Sequence, residues 1–322
     1  MDWQSSASIE ILRQRSAITW RLRQFFHEEG FCEVHTPVLG NDCVVDVHID
    51  PITVPSAHVL SAHPMTTTLF LQTSPEFCMK RLLASGMSAI YQIGPAFRRD
   101  ERGDQHNPEF TMVEWYRAGD GLLEGVDLLS RLIGSFLPEL GTVTMTYQQA
   151  FQQFASLDPL AASDQELRQA VVDRMPGMDP TSLDRDESLN ALFADLVQPR
   201  LGTDGPVILT HYPASQAALA RISPDDPRVA ERFELFYQGV ELANGYHELT
   251  DAEELSRRMA EANRLRKLYG KPALPSTNRL LDAMRAGLPP SSGCALGLDR
   301  LTMVLTGAGT IDSVLPFPIE RA

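Results

Sequence analysis

Phe97-Arg98-Arg99-Asp100-Glu101-Arg102-Gly103-Asp104-Gln105-His106-Asn107-Pro108-Glu109-Phe110 is the stretch on which the fold turns. The apolar run Tyr91 to Phe97 ends at an arginine, a charged loop follows, and Phe110 opens a second run that reaches Tyr116. The pattern is strand–loop–strand with cations at the turn, and cations held over a sheet are what a nucleotide phosphate requires. The C-terminal end supplies a matching half, Gly293-Cys294-Ala295-Leu296-Gly297-Leu298-Asp299-Arg300, and an acidic hairpin lies between the two. There is no GxxxxGK[ST] loop, no GxGxxG after a strand and no GxSxG elbow. Any ATP is therefore held by another fold.

Size and charge narrow the classes. A chain of 322 residues can bury roughly three quarters of its unfolded surface. Its 43 % hydrophobic and 22 % charged residues are ordinary for a globular enzyme. The net charge, 28 minus 42 or −14, argues against a general nucleic-acid binder, because phosphate affinity comes from Lys and Arg. An acidic excess fits a small-molecule substrate or a basic protein partner. Cys32, Cys43, Cys78 and Cys294 form no CxxC pair or metal-ligand spacing and read as reduced, structural thiols. The N-terminus lacks a basic segment followed by an apolar one, and no apolar run approaches the ~18 residues of a membrane span. The expectation is a cytoplasmic protein with no membrane partner.

Periodicity predicts an amphipathic helix over residues 8 to 29, with Ile11, Ile18, Leu22 and Phe25 as its stripe and Gly30 beyond its end. Phe31 to Leu39 reads as a short strand with Pro37 at an edge or interface, and Val45 to Ile49 alternates like another. Ser74-Pro75-Glu76 opens a helix, with Ser74 as N-cap and Met79, Leu82 and Leu83 on its apolar side. From about 141 to 205, helical pieces such as Gln165 to Arg174 and Glu187 to Val197 alternate with Pro- and Gly-containing turns, which suggests a helical insertion. Strands return at Pro206 to Tyr212 and Arg232 to Leu242. Thr250-Asp251-Ala252-Glu253 reads as a capping box starting a helix that ends near Gly270. The expected fold is α+β, a mainly antiparallel sheet flanked by helices, with residues 1–322 as one domain.

If Gln238-Gly239 is a two-residue turn, Tyr237 pairs with Val240 and Phe236 with Glu241, and Glu234 and Glu241 become diagonal neighbours on one face. Two carboxylates ~6 Å apart repel by roughly 2–3 kcal/mol at an effective dielectric of about 20. Either the face is solvated or a cation such as Mg²⁺ sits between them. Glu114 and Tyr116 share a strand face while Val113 and Trp115 point into a core. The acid and phenol are a surface couple or a seat for an ammonium group. Glu76 complements a helix dipole or adds a third carboxylate. Arg300 falls in the first turn of a helix with Leu301, Val304 and Leu305 on its apolar side. A cation there opposes the macrodipole, and a phosphate partner removes the conflict.

These residues resemble class II aminoacyl-tRNA synthetases, and within them the lysyl branch. Gly30 to Pro37 is similar to motif 1, Phe97 to Phe110 to motif 2, and Gly297-Leu298-Asp299-Arg300 to motif 3. His106 to Met112 and Glu241 to Tyr246 are similar to the lysine-activating members. Only about seven residues precede the first helix, where lysyl-tRNA synthetases carry an anticodon-reading OB-fold, so no tRNA partner is expected. His211-Tyr212-Pro213-Ala214-Ser215-Gln216-Ala217 resembles the free-standing paralogues of that branch, the elongation factor P–lysine ligases.

The resemblance implies ATP-dependent activation of (R)-β-lysine, its transfer to a lysine ε-amino group of elongation factor P, and a homodimer through motif 1. By the same resemblance Arg98 binds the α-phosphate, Arg300 the terminal phosphate, and Phe110 stacks on adenine. The nucleotide's other contacts are Arg99, Asp100, Asn107, Glu241, Leu242 and Gly297. Glu241 with Glu234 holds Mg²⁺. Ser74, Pro75, Glu76, Glu114, Tyr116, Asn244, Tyr246, Glu248 and Ala295 surround the substrate amino groups. Arg98, Glu241 and Arg300 are the implied catalytic set. The chain departs from the family at Arg99 and Asp100, where Asn and Glu are usual, and at Ala295, where lysyl-tRNA synthetases usually have Gly. Another tRNA-independent class II ligase, or a silent regulatory paralogue, are the competing readings. Glu114 and Glu248 weigh against the first, and the presence of all three catalytic candidates weighs against the second.

Overall fold

The computed structural model describes residues 3–59, 67–175, 179 and 183–322. They fall into two compact units, Met1–Asp120 with Leu249–Ala322, and Gly121–Glu248.

In the first unit, the Ser8 hydroxyl accepts from Ile11 N and starts α1 (Ile9–Glu28). The helix stops before Gly30, whose φ of +78° disfavours any side chain. Its buried residues are Ile18, Leu22 and Phe26. Phe26 replaces the expected Phe25 because its ring stacks on Tyr91 at 4.6 Å and meets Trp115 at 5.2 Å. The expected Phe31–Leu39 strand is instead two short pieces. Strand β1 (Cys32–Glu33) runs parallel to Ile90 and Tyr91, and β2 (Leu39–Gly40) is antiparallel to Phe70 and Leu71 in another sheet. Pro37 cannot donate to a ladder, and Thr36 N bonds the Gln92 side chain at 2.7 Å instead. Val45–Ile49 is not a strand either. Asp46 Oδ1 accepts from His48 N and Ile49 N, and the Asp46 and Ile49 carbonyls accept from Arg266. Those backbone groups are committed to a side-chain turn and a buried guanidinium rather than a ladder.

Strands β3 (Thr53–Pro55) and β4 (Thr68–Leu71) complete a small sheet in the order β2-β4-β3. Helix α2 (Glu76–Ala84) has Pro75 at its N-cap, one residue later than the expected Ser74, whose Oγ still accepts from Glu76 N at 3.0 Å. Its buried side includes Met79 and Leu83, with Lys80 between them. Strands β5 (Ala89–Phe97) and β6 (Glu109–Ala118) form the long antiparallel pair that the opening stretch requires, with Phe97 opposite Glu109.

The second unit begins with α3 (Leu122–Phe136) and continues through β7 (Val143–Thr146), α4 (Tyr147–Ala155), α5 (Asp164–Arg174) and α6 (Arg185–Leu192). Part of the turn between α5 and α6, residues 176–178 and 180–182, lies outside the described residues. Strands β8 (Val207–Pro213), β9 (Val229–Tyr237) and β10 (Val240–His247) follow, giving the order β10-β9-β8-β7 with only β7–β8 parallel. Helix α3 packs on β9 and β10. Helices α4 to α6 fall within residues 141–205, and a core of Tyr147, Phe151, Leu167, Val171, Leu189 and Leu192 closes over Leu209, Tyr212 and Phe236.

The chain then returns to the first unit with α7 (Ala252–Leu268). Asp251 caps it, accepting from Glu253 N and Glu254 N, so the cap is one residue later than the Thr250 capping box. Helix α8 (Arg279–Gly287) leads into β11 (Ser291–Gly297) and α9 (Leu298–Thr306). In α9 the buried residues are Leu298, Asp299, Leu301, Thr302 and Met303, so Met303 takes the place expected for Val304. It joins Ile311, Val314 and Leu315 in a small cluster. The larger strand set of this unit has the order β1-β5-β6-β11. The expected α+β class with mainly antiparallel pairing holds in both units. Among the described residues no helix is long and apolar enough to cross a membrane.

Candidate active site

In β6, Phe110, Met112, Glu114 and Tyr116 alternate onto one face. Across the strand pair, Gly297 stands opposite Met112, Ala295 opposite Glu114 and Gly293 opposite Tyr116. Cross-strand partners share a face, so motif 3's strand adds two glycines and an alanine to the same surface. A strand rises about 3.3 Å per residue, which puts Phe110 and Glu114 roughly 13 Å apart. That is room for a nucleotide at one end and an amino acid at the other.

One end of this face is acidic and dry. Glu114 and Glu76 are buried. Tyr116 Oη donates to Glu114 Oε1 at 2.5 Å and Ser74 Oγ donates to Oε2 at 2.8 Å. Burial, with the Glu76 charge adding to it, raises the Glu114 carboxyl to about 7, against the opposing pull of Tyr116, Ser74 and Lys80. Sequence reading missed Lys80. It is buried, its Nζ is 2.5 Å from Glu76 Oε1, and it lies 5.9 Å from the Tyr116 ring centroid. Its i,i+4 spacing from Glu76 was the available signal. Pro75 supplies the backbone carbonyl that accepts from Cys78 N and Met79 N, both at 3.0 Å.

The other end is cationic. Arg98 lies over the Phe110 ring at 5.1 Å and 3.6 Å from Glu101. Its Nε is buried with no hydrogen-bond partner among the described residues, and a phosphate oxygen would satisfy it. Arg300 contacts the motif 2 loop, with Nη2 2.6 Å from His106 Nε2. Its neighbour Asp299 accepts from Thr111 N and from Arg15 Nη2, both at 2.7 Å, and so locks motif 3 to β6 and α1. Asn107 bonds within the protein through both amide atoms: Nδ2 donates to the Glu109 carbonyl and Oδ1 accepts from Ile319 N. Asp100, at φ +64°, pairs with Arg99 at 3.3 Å and is 84 % exposed. It turns outward, whereas Glu101 lies on Arg98. At Gly297 an added Cβ would meet nothing of the protein nearer than 3.8 Å, only the Arg300 side chain. Neither packing nor φ demands glycine there, whereas a flat ring against the backbone would. These features fit ATP.

The second unit carries the acidic hairpin. Gln238 and Gly239 both have positive φ, +53° and +73°, as a two-residue turn of this kind needs. Tyr237 faces Val240 and Phe236 faces Glu241, so the expected register is present. A bulge at Leu242 then shifts it, and Asn244 rather than Ala243 faces Glu234. Glu234, Phe236, Glu241 and Asn244 therefore share one face. Nothing in the residue pattern marks this bulge. Tyr212 Oη donates to Glu234 Oε2 at 2.6 Å, and Arg232 makes an ion pair with Oε1. Burial, followed by the Glu241 charge, pushes the Glu234 carboxyl up against the pull of Arg232. Hard carboxylate oxygens on one face suit Mg²⁺ shared with phosphates and water. Both Glu234 oxygens already accept hydrogen bonds within the hairpin unit. Asn244 Nδ2 donates to Tyr246 Oη at 3.0 Å. Glu248 is buried at the end of this unit.

The class II tRNA synthetases of the D, K and N type match residues 1–321. The chain is 45 % identical over 321 residues to an elongation factor P–(R)-β-lysine ligase of Enterobacter sp. (strain 638), covering 99 % of this chain and 98 % of that one. Ligases of the same name from Salmonella arizonae and Salmonella dublin are each 44 % identical with the same coverage. By this match and these relatives, the chain belongs to the class II tRNA synthetase family of D, K and N type.

Proposed function

We propose that the protein activates (R)-β-lysine with ATP and transfers it to a lysine ε-amino group of elongation factor P in the cytoplasm. The whole chain serves as one catalytic domain with a helical insertion. The observation that carries this reading is the buried Glu114, held by Tyr116 and Ser74 with Glu76 nearby, on the same strand face as Phe110. Ionising this buried carboxyl calls for a nearby cation, and a diamino acid supplies one. The relatives' names supply the acceptor and the β-isomer.

In the first step the substrate carboxylate oxygen attacks the α-phosphorus of ATP, and the bond to pyrophosphate breaks. Arg98 would neutralise the charge that develops on the α-phosphoryl oxygens, and Arg300 would hold the terminal phosphate. Phe110 would stack on adenine. Mg²⁺, held by Glu241 with Glu234, would neutralise further phosphate charge. Glu114 and Glu76 would bind ammonium, with Asn244, Tyr246 and Glu248 contributing further polar contacts. In the second step a neutral lysine ε-amine attacks the acyl carbonyl, AMP leaves with the bonding pair, and one proton is lost.

Intact-mass analysis tests this reading. Elongation factor P incubated with enzyme, ATP and (R)-β-lysine should gain one β-lysyl residue on one lysine. No gain, despite rapid pyrophosphate release, would reject the acceptor.

A further inference from the structure

Arg232, on the same β9 face as Glu234, touches three residues to which the reading above gives a role. Its side chain is 18 % exposed. The guanidinium makes an ion pair with Glu234 Oε1, Nε donates to Asn244 Oδ1 at 3.2 Å, and Nη1 donates to the Gln216 carbonyl at 2.7 Å. Its Cζ lies over two aromatic rings, 4.7 Å from the Tyr212 centroid and 6.0 Å from that of Tyr246. Tyr212 holds the other Glu234 oxygen. It is held in turn by the Tyr147 ring at 4.9 Å in the helical insertion. Asn244 passes the contact on to Tyr246.

We propose that Arg232 is a positioning residue that joins the metal-binding carboxylates of the hairpin to its amine-recognition residues. The inference rests on the roles proposed above for Glu234, Asn244 and Tyr246. The geometry demands a planar, multi-donor cation: three acceptors, each on a different guanidinium nitrogen, and two aromatic rings beside it. Lysine supplies the charge but cannot span the acceptors or stack. The bulge at Leu242 is what brings Asn244, not Ala243, opposite Glu234 and within reach of Nε. Without Arg232, Glu234 would lose its fixed orientation beside Glu241, and Asn244 would lose the bond that aims it at Tyr246. Metal use and amino-acid binding should therefore fail together, although only one of the two involves a metal.

The test compares wild type with Arg232→Lys, Arg232→Met and Glu241→Gln. Three quantities are read: thermal stability, (R)-β-lysine binding by calorimetry without nucleotide or metal, and the Mg²⁺ concentration for half-maximal pyrophosphate exchange. Arg232→Lys should stay folded, bind β-lysine about tenfold more weakly and need several-fold more Mg²⁺, with Arg232→Met worse in both. Glu241→Gln should change the Mg²⁺ requirement but not metal-free β-lysine binding. Folded Arg232 variants with wild-type values in both assays would overturn the inference and leave the ligase reading intact. Wild type that neither binds nor exchanges any lysine isomer would remove the ligase reading itself. If both Arg232 variants unfold, Asn244→Ala decides: it should reproduce the weaker β-lysine binding, and wild-type binding would overturn the coupling.

Discussion

Ala295 stands directly opposite Glu114 across the β6–β11 pair, which brings their Cβ atoms to about 5 Å on a shared face. The methyl group occupies volume beside the carboxylate that receives an ammonium group in the proposed reaction. One added methyl costs about 1–3 kcal/mol against a ligand needing that space, or ~10–200-fold in discrimination. β-Lysine carries its amino group one carbon further from its carboxylate and needs that volume less. Ala295→Gly should therefore raise kcat/KM for α-lysine relative to β-lysine. An unchanged or β-shifted ratio would rule out a specificity role for this side chain.

Glu114 gives a pH dependence of defined sign. Its folded value of about 7 lies above the ordinary 4.5. Its contribution to stability is therefore full below about 4.5 and is lost as pH rises through about 7. Ammonium binding needs the ionised form, so KM for the amino acid should fall over the same range. Glu114→Gln should raise Tm at pH 8 in the absence of ligand, weaken amino-acid binding by about 2–5 kcal/mol and flatten the pH profile of KM. A lower Tm with unaltered binding would show that this carboxylate does not seat the amine.

The motif 2 loop is tied down by the chain's end. Arg102 pairs with Asp312 at 2.8 Å and Glu320 at 2.7 Å, and Asp104 O accepts from Ile311 N at 2.7 Å. Exposed ion pairs contribute only about 0–1 kcal/mol to stability, so Arg102→Ala should barely move Tm. It should loosen the loop that presents Arg98 and raise KM for ATP severalfold with kcat nearly unchanged. Wild-type KM for ATP would show that the loop holds its shape without the tie.

A homodimer is expected through the motif 1 region. Phe31 is unavailable, being buried against Phe26 at 5.4 Å and Arg117 at 5.5 Å. Val38 is 37 % exposed and Trp20, on α1, 62 %. Light scattering at micromolar concentration should give twice the chain mass, and Trp20→Arg should shift it toward monomer. A stable wild-type monomer would remove the dimer while leaving the residue assignments untouched.

The opening stretch was legible because a long antiparallel pair has period two: Glu114 and Tyr116 on one face, Trp115 on the other, could be read directly. The hairpin register near Gln238-Gly239 was legible for the same reason, since the turn fixes the pairing. What failed was whatever depended on a distant partner. Val45–Ile49 alternates as a strand does, but Arg266, far along the chain, takes its carbonyls. Phe26 displaced Phe25 because Tyr91 and Trp115 wait on that side. Lys80 and Arg232 lay in plain sight, four residues from Glu76 and two from Glu234. Spacing alone does not show that each of these acids finds its cation within its own strand or helix.

The most direct test of the central claim is ATP–pyrophosphate exchange with (R)-β-lysine and α-lysine in parallel, for wild type and Arg98→Ala. Exchange should depend on the amino acid, favour β-lysine, and fall by about 10²–10³-fold or more in Arg98→Ala at unchanged Tm. Exchange that needs no amino acid, or survives intact in a folded Arg98→Ala, would contradict the account.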